Sequence, residues 1–438
     1  LAAQKNGMGH NNLNNKYDLI VVGAGPAGLI AAGRAASQGA RVLLVEKMKS
    51  AGRKLLITGK GRCNVSNDAY QSAFFKNIFP NGKYLKPAFG AFFSKDIVNL
   101  LTQEGVETTV ERGGRIFPTS NSALEVLNAL MSWVKKQRVE LSCNSRVIEL
   151  LVQQGQITGI ITERNGQKEP LEAKGVVLCT GGKSYPATGS TGEGYLLAQQ
   201  LGHSLVQTRP ALVPLITSGS LAAQLQGLSL KNVSASLWIN NKKVKDEFGE
   251  MLFAHYGLTG PIILTLSRQA VDGLLQKNKV KISIDLKPAL DENKLDARLI
   301  RDLDANGKKQ LENIFKGWLP SKLIPVFLEQ LQLDGKKQGH QVTGKERRQI
   351  MLLMKNFEFE VTDNRGYSEA IITAGGINTS EIDGKTMQSK LVKNLYFAGE
   401  ILDLDANTGG YNLQIAYSTA WLAANAFIKL NIENHTTK

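Results

Sequence analysis

The stretch YDLIVVGAGPAGLIAAGRAASQGARVLLVEK, Tyr17 to Lys47, decides how the rest of the chain is read. Leu19 to Val22 has the length and β-branched content of a buried parallel strand and runs directly into Gly23, Gly25 and Gly28. Pro26 to Gln38 is alanine-rich, Gly39 is placed to end a helix, and Arg41 to Val45 is a second apolar run closed by Glu46. Strand, GxGxxG turn, helix, strand and acid in register form a dinucleotide-binding unit. Gly23 allows the tight turn, Gly25 lets the main chain approach a pyrophosphate, and Gly28 lets the helix pack close to the strand. Ala24, Pro26 and Ala27 complete a turn that aims the helix N-terminus at the phosphates. Glu46, followed by Lys47, can accept from both ribose hydroxyls, and its charge disfavours the extra phosphate of NADP. The plain alternative is a βαβ unit with an empty turn.

Around this unit lie 438 residues, enough for two or three domains, 42% hydrophobic and 21% charged. No apolar run reaches the ~18 residues of a membrane helix. The polar opening, residues 1–16, has no apolar core for a secretory signal and reads as a disordered leader. Cys63, Cys143 and Cys179 are too scattered for disulfides or a zinc site, which fits a reducing cytoplasm, and nothing points to a metal. The net charge of +15 admits nucleic acid as a partner. The densest lysine groups, Asn241 to Lys245 and Gly335 to Lys337, look instead like solvated hairpin tips and loops.

After Glu46 comes MKSAGRKLLITGKGRCNVSN, a loop that either covers a ligand or is solvated. In the first case Arg53, Lys54 and Arg62 lie near phosphate or flavin edges, with Gly59 and Gly61 permitting close contact. The apolar spacing from Tyr84 to Leu101 predicts one amphipathic helix. Val139 to Leu151 and Gly155 to Thr162 predict strands. Val176 to Cys179 predicts a buried strand ending in Thr180, Gly181 and Gly182, where main chain can pass close to a ligand. Cys179 there is a small buried residue rather than a nucleophile.

From His203 strands replace the βα alternation. Residues 203–289 read as a β-rich, substrate-side insertion and 290–355 as a helical one. The α/β domain of 17–202 resumes over 356–438, beginning with FEFEVTD. His255 and Tyr256, beside a turn, are candidates to exchange protons with a substrate; the alternative is a structural role. In KNLYFAGEILDLDANTGGYNLQIA a short strand ends at Gly399 and Glu400. Gly409 and Gly410 then precede a long helix through Tyr411 and Asn412, whose N-terminus can stabilise negative charge on a reduced flavin.

These three blocks resemble the FAD-binding core of the glutathione-reductase-like flavoproteins. The strings TGKGRCNVSN, GGRIFPTS, GGKSYPATGSTGEGY, MLFAHYGLTGP and AGEILDLDANTGGYNLQIA are similar to the BaiN/YhiN-type, HI0933-like flavoproteins, over about Tyr17 to Leu430. Lys60 stands where that family often has Gly, and Ala254-His255-Tyr256 varies a Thr-His-Phe/Tyr pattern. The resemblance implies an α/β, Rossmann-like FAD domain with inserted β-rich and helical parts, and oxidoreductase activity. It also implies Glu46 on the adenosine ribose, Val147 on the adenine by main chain, Glu400 on the ribityl chain and Gly410 to Asn412 on the isoalloxazine. Arg53, Lys54, Arg62 and Asn64 are further FAD contacts by the same resemblance.

No second GxGxxG unit appears between Gly182 and Asn356, so NAD(P)H, if it is the donor, docks transiently at the flavin. By the resemblance, whose branches are associated with NAD(P)H-dependent reduction of conjugated enones or with oxidation of small amino ketones, the first expectation is an NAD(P)H-driven reductase of a small acceptor such as a conjugated enone. An oxygen-using oxidase of a small amine or amino ketone is the second. The third is an RNA-binding flavoprotein, to be tested by charge reversal at Lys242, Lys243 and Lys245.

Overall fold

The computed structural model describes residues 16–431. The expected leader lies outside the described residues apart from Lys16, which opens the first strand. The chain forms two compact units, one from the segments up to Thr208 and from Thr373 onward, the other from Arg209–Ile372.

In the first unit, Lys16–Val22 lies between Val42–Val45 and Gln167–Leu178, parallel to both. Glu140–Ser142 extends the parallel sheet at one side and Leu395–Phe397 joins Gln167–Leu178 at the other. The strand Gln167–Leu178 also carries an antiparallel meander of Gln156–Arg164 and Arg146–Gln153. Helices Pro26–Ser37, Ala123–Lys136 and Tyr411–Asn431 pack against this framework. The strands Leu19 to Val22 and Val176 to Leu178 are buried throughout, as expected where both faces of a parallel sheet are covered. This is a Rossmann-like fold.

Two expected elements are divided. The helix expected over Tyr84 to Leu101 is a 3₁₀ turn, Gly82–Leu85, followed by helices Lys86–Ala91 and Ser94–Gln103. Phe92 and Phe93 are extended between the two helices, and Asp96 Oδ2 accepts from the Phe93 N–H at 2.6 Å to cap the second. The break lets Phe93 join Phe74 and Phe89 in an edge-on aromatic cluster, with Phe74 in turn against Tyr411. The strand expected over Val139 to Leu151 splits into Glu140–Ser142 and Arg146–Gln153. Main chain beside the gap is used by Glu46: its N–H donates to Ser142 O (2.8 Å) and its carbonyl accepts from Ser145 N–H (3.0 Å).

The second unit is built on a closed barrel of Leu215–Thr217, Gly257–Thr259, Lys242–Ala254, Ser229–Ile239, Val280–Asp285 and Phe357–Asn364, in that order. Helix Pro261–Leu275, with Pro261 at its first turn, packs on the barrel. Helices Glu292–Ala305, Leu311–Phe315, Leu323–Leu331 and Gly344–Lys355 share its apolar core. The alternation of Phe357, Phe359 and Val361 is that of a strand, but the strand closes this barrel instead of opening the resumed α/β domain. The return to the first unit comes at Thr373, not at 356, and residues 203–208 belong to the first unit. Among the described residues no helix is long and apolar enough to cross a membrane.

Candidate functional site

Gly23 has φ +98°, and a Cβ there would lie 2.6 Å from Cys179 O; a Cβ at Gly28 would lie 1.8 Å from Gly23 O. These two glycines are required by the close passage of turn, helix and neighbouring strand. Gly25 differs, since a Cβ there would meet nothing within 4 Å. It is the N-cap of Pro26–Ser37, with no side chain capping the helix and no acid in its first turn. Open space in front of an uncapped helix N-terminus is what a pyrophosphate needs, so the turn fits FAD.

Glu46 is fixed from both sides: Ala24 N–H donates to Oε2 (2.9 Å) and Met48 N–H to Oε1 (2.8 Å). Each oxygen keeps a lone pair for a ribose hydroxyl. Lys47 turns aside to Thr191 Oγ1 (2.5 Å) and Glu193 (3.1 Å). Val147 is buried in its strand opposite Thr162.

Thr180, Gly181 and Gly182 follow the strand Gln167–Leu178. Thr180 Oγ1 is buried without a hydrogen-bond partner, a second feature that suits a bound polar group. A Cβ at Gly182 would lie 2.5 Å from Thr373 Oγ1 and 3.0 Å from Glu400 Oε1. Glu400 is the centre of this corner. Lys54 Nζ donates to its Oε2 (2.6 Å), and Ser184 Oγ (2.8 Å) and Thr373 N–H (2.9 Å) donate to its Oε1. Lys54 also reaches Ser184 Oγ at 2.6 Å. Thr373 Oγ1 accepts from the Lys183 and Ser184 N–H groups, which ties the return segment to the GGKS turn. Ser184 and Thr373 were not singled out in the sequence, although both lie in glycine-containing strings, GGKSYP and ITAGG.

The third part is the start of helix Tyr411–Asn431. Gly410 has φ +94°, and a Cβ there would lie 2.2 Å from Ser66 O. With its amide turned to suit its neighbours, Asn64 donates to Ser66 O and Ile116 O and accepts from Gly410 N–H at 3.0 Å. Beneath the first turn, Ser66 Oγ donates to Gln414 Oε1 (2.6 Å), and Gln414 donates to Ser418 Oγ (2.9 Å), which donates to Phe92 O (2.7 Å). Asn412 instead pins Ala406 through both its amide atoms. Gly399, with φ +79°, donates its N–H to Thr419 Oγ1 of the same helix at 3.0 Å.

The expected basic contacts are placed unequally. Lys54 joins the Glu400 corner, while Arg53 bonds Ala187 O (3.2 Å). Arg62 pairs with Glu111, bonds Asn121 Oδ1 (2.6 Å) and lies 4.1 Å over the Phe117 ring. It holds the Glu111 carboxylate below its ordinary pKa. Gly61, φ +86°, is exposed, and a Cβ there would come only within 4.0 Å of Leu56 O. Burial pushes the Cys63 thiol up to about 12 and Cys179 higher, so neither is a thiolate near neutral pH.

His255 and Tyr256 belong to the second unit. Their rings meet edge-on at 4.9 Å, Arg365 lies 4.6 Å over the Tyr256 ring, and Tyr256 Oη is 3.4 Å from Glu369 Oε2. Arg365 Nε donates to Glu369 Oε1 at 2.7 Å. Burial first, then the Glu369 charge, raises the Tyr256 pKa above its ordinary value, so the phenol keeps its proton. Among the described residues no group of three His, Cys, Asp or Glu could hold a metal ion.

A sequence profile described as HI0933-like protein Rossmann domain matches residues 17–426. The 3-dehydro-bile acid delta(4,6)-reductase of Clostridium scindens is 30% identical over 93% of this chain and 98% of its own length. The ribosomal RNA dihydrouridine synthase of Escherichia coli is 30% identical over 94% of this chain and 98% of its own. A protein of the same name from Haemophilus influenzae is 28% identical over 92% and 97%.

Proposed function

This chain belongs to the HI0933-like family of FAD-dependent oxidoreductases, and from that premise we propose that it reduces a carbon–carbon double bond conjugated to a carbonyl, with NADH or NADPH as the transient donor. The observation that carries the reading is the pairing of relatives. Two proteins named for a 3-dehydro bile acid and for uridine match the chain at the same 30% identity over more than nine-tenths of it. A 3-oxo steroid with a delta-4 double bond and a uracil ring share one reactive unit, C=C conjugated to C=O. Hydride adds to the carbon far from the carbonyl and a proton to the near one.

When bound, FAD supplies the hydride chemistry. The chain's own residues hold it: Gly25 and the helix N-terminus the pyrophosphate, Glu46 the ribose, Val147 main chain the adenine. Glu400 holds the ribityl chain, its charge balanced by Lys54, and Gly410 to Asn412 border the ring. Tyr256 gives the proton, its hydroxyl 3.4 Å from Glu369, its ring under Arg365 and edge-on to His255. Of the substrate classes, a uracil within RNA is favoured by the net charge of +15, which a bile-acid carboxylate alone does not call for.

The test is made on FAD-loaded protein without oxygen. NADH or NADPH should bleach the visible flavin band, and adding a 4-en-3-one steroid or a ribosomal RNA transcript should restore it. Mass spectrometry should then find two hydrogens gained by the acceptor. Peroxide formed from an amine with no response to NAD(P)H would overturn the reading in favour of the oxidase.

A further inference from the structure

The positive charge of the chain is concentrated. Residues 47–95 hold ten Lys or Arg and a single acid, Asp68, and so carry +9 of the chain's +15. Some of these cations are committed to the cofactor corner and its rim: Lys47 to Glu193, Lys54 to Glu400 and Arg62 to Glu111. By contrast Lys60, Lys76, Lys83, Lys86 and Lys95 are exposed, and among the described residues none of them makes an ion pair. Some lysines elsewhere find acids. On the barrel hairpin considered above for RNA, Lys243 pairs with Asp246 and Lys245 with Glu247, so that hairpin has little charge left to offer phosphate.

Four of the unpaired lysines sit on one packed piece of the first unit. Helix Gln71–Lys76, the 3₁₀ turn Gly82–Leu85 and helix Lys86–Ala91 are held together by Phe74, Phe75 and Phe89, with Phe93 leading into the helix that bears Lys95. At the entrance to this piece Tyr70 is 87% exposed, among the described residues the most open large side chain of the core-forming types. The same piece is joined to the flavin cradle. Phe74 packs edge-on against Tyr411 at 4.7 Å, Ile78–Phe79 pairs with Asp405–Ala406, and Asn77 holds Asn407 through side chain and main chain.

We propose that the face built by residues 70–95 docks the phosphodiester backbone of RNA, with Lys76, Lys83, Lys86 and Lys95 on phosphates and Tyr70 as a stacking platform for an unpaired base. The inference rests on the RNA reading of the substrate. Lysines without acid partners neutralise phosphate and release its counterions, and an exposed aromatic among them suits an unstacked base. The face then delivers a strand to the wall beside Gly410 and Tyr411.

The experiment uses the FAD-loaded full chain and a fluorescein-labelled stem-loop RNA with a uridine-rich loop, read by anisotropy across a salt series. Wild-type affinity should fall steeply with salt. In K76A/K83A/K86A/K95A it should drop at least tenfold at low salt, with the log–log salt slope reduced by about 3. Tyr70→Ala should weaken loop binding about tenfold with the slope unchanged. K242A/K243A/K245A should bind like wild type, and flavin content should be equal in all variants. Salt-sensitive wild-type binding that survives the quadruple substitution would overturn this face but leave the RNA reading standing. No RNA binding by wild type would overturn both. Binding to anionic phosphatidylserine vesicles instead, lost in the quadruple variant, would assign the face to a membrane surface and overturn the RNA proposal.

Discussion

Gly25 and Gly28 sit three residues apart in one turn and are glycine for different reasons. Gly28 is glycine for packing, because any Cβ strikes the Gly23 carbonyl. Gly25 has φ −81°, which every residue tolerates, and faces open space. Gly28→Ala is therefore expected to cost about 1–3 kcal/mol of stability. Gly25→Val should leave the melting temperature of the FAD-free protein nearly unchanged while weakening FAD binding on the order of 100-fold, about 2.8 kcal/mol. Thermal melts beside flavin absorbance after desalting separate the two, and a Gly25→Val protein that stays yellow would count against the pyrophosphate site. For the proposed proton donor, Tyr256→Phe should lower the rate of acceptor reduction by about 10²–10⁴ while bleaching by NAD(P)H stays normal. Equal loss of both half-reactions would remove Tyr256 from that role.

Among elements, the turn at the end of helix Glu193–Gln200 shows how one buried residue couples segments far apart in sequence. His203 is buried, with Nε2 2.9 Å from Ser389 Oγ and Nδ1 3.2 Å from Glu381 Oε2. Ser389 Oγ already accepts from the Leu391 and Val392 N–H groups, so it donates to Nε2, and the imidazole proton lies on Nδ1 toward Glu381. The constellation looks like a hydrolytic triad, but its serine is buried and its lone pairs are taken, so it works as a pin. Burial lowers the His203 pKa in spite of the Glu381 bond. The unfolded chain takes up a proton there near pH 6.5 and the folded one does not, so stability falls as pH drops below about 6.5. The low Glu381 pKa adds a loss in the same direction at more acid pH. His203→Asn should flatten the decline in melting temperature between neutral pH and pH ~5.5; an unchanged slope would mean that other groups govern it. Nothing in the sequence around His203 signals this pin, because its partners lie some 180 residues on. The glycine blocks were legible for the opposite reason: each is a recognisable string of neighbouring residues, even though the groups that crowd Gly23 and Gly410, Cys179 O and Ser66 O, are distant in sequence. The Tyr84 to Leu101 pattern misled because apolar spacing cannot tell one helix from two when the break is made by packing aromatic rings.

For the molecule as a whole, the two units have apolar cores with no residue in common. Calorimetry is expected to resolve two unfolding steps, with excess FAD raising only one, by about 2.7 kcal/mol at 100 times its dissociation constant. A single transition that shifts as one would show that the units unfold together. Barrel closure by Phe357–Asn364 was not legible, since a strand's alternation states which face is buried and not which sheet it joins. The division of the chain has a bearing on how the protein is made. The acid proposed for the ribityl chain is Glu400, and the groups that fix it come from Lys54, Ser184 and Thr373. The glycine turn is made first, and the corner beside it is completed only after some 375 further residues have been joined, roughly 20–75 s at ordinary elongation rates. Throughout that interval a nascent chain has the dinucleotide turn without the residues that close the flavin end. On the proposed FAD contacts, a chain released before Tyr411 should emerge colourless, a substrate for proteolysis and not a slow enzyme.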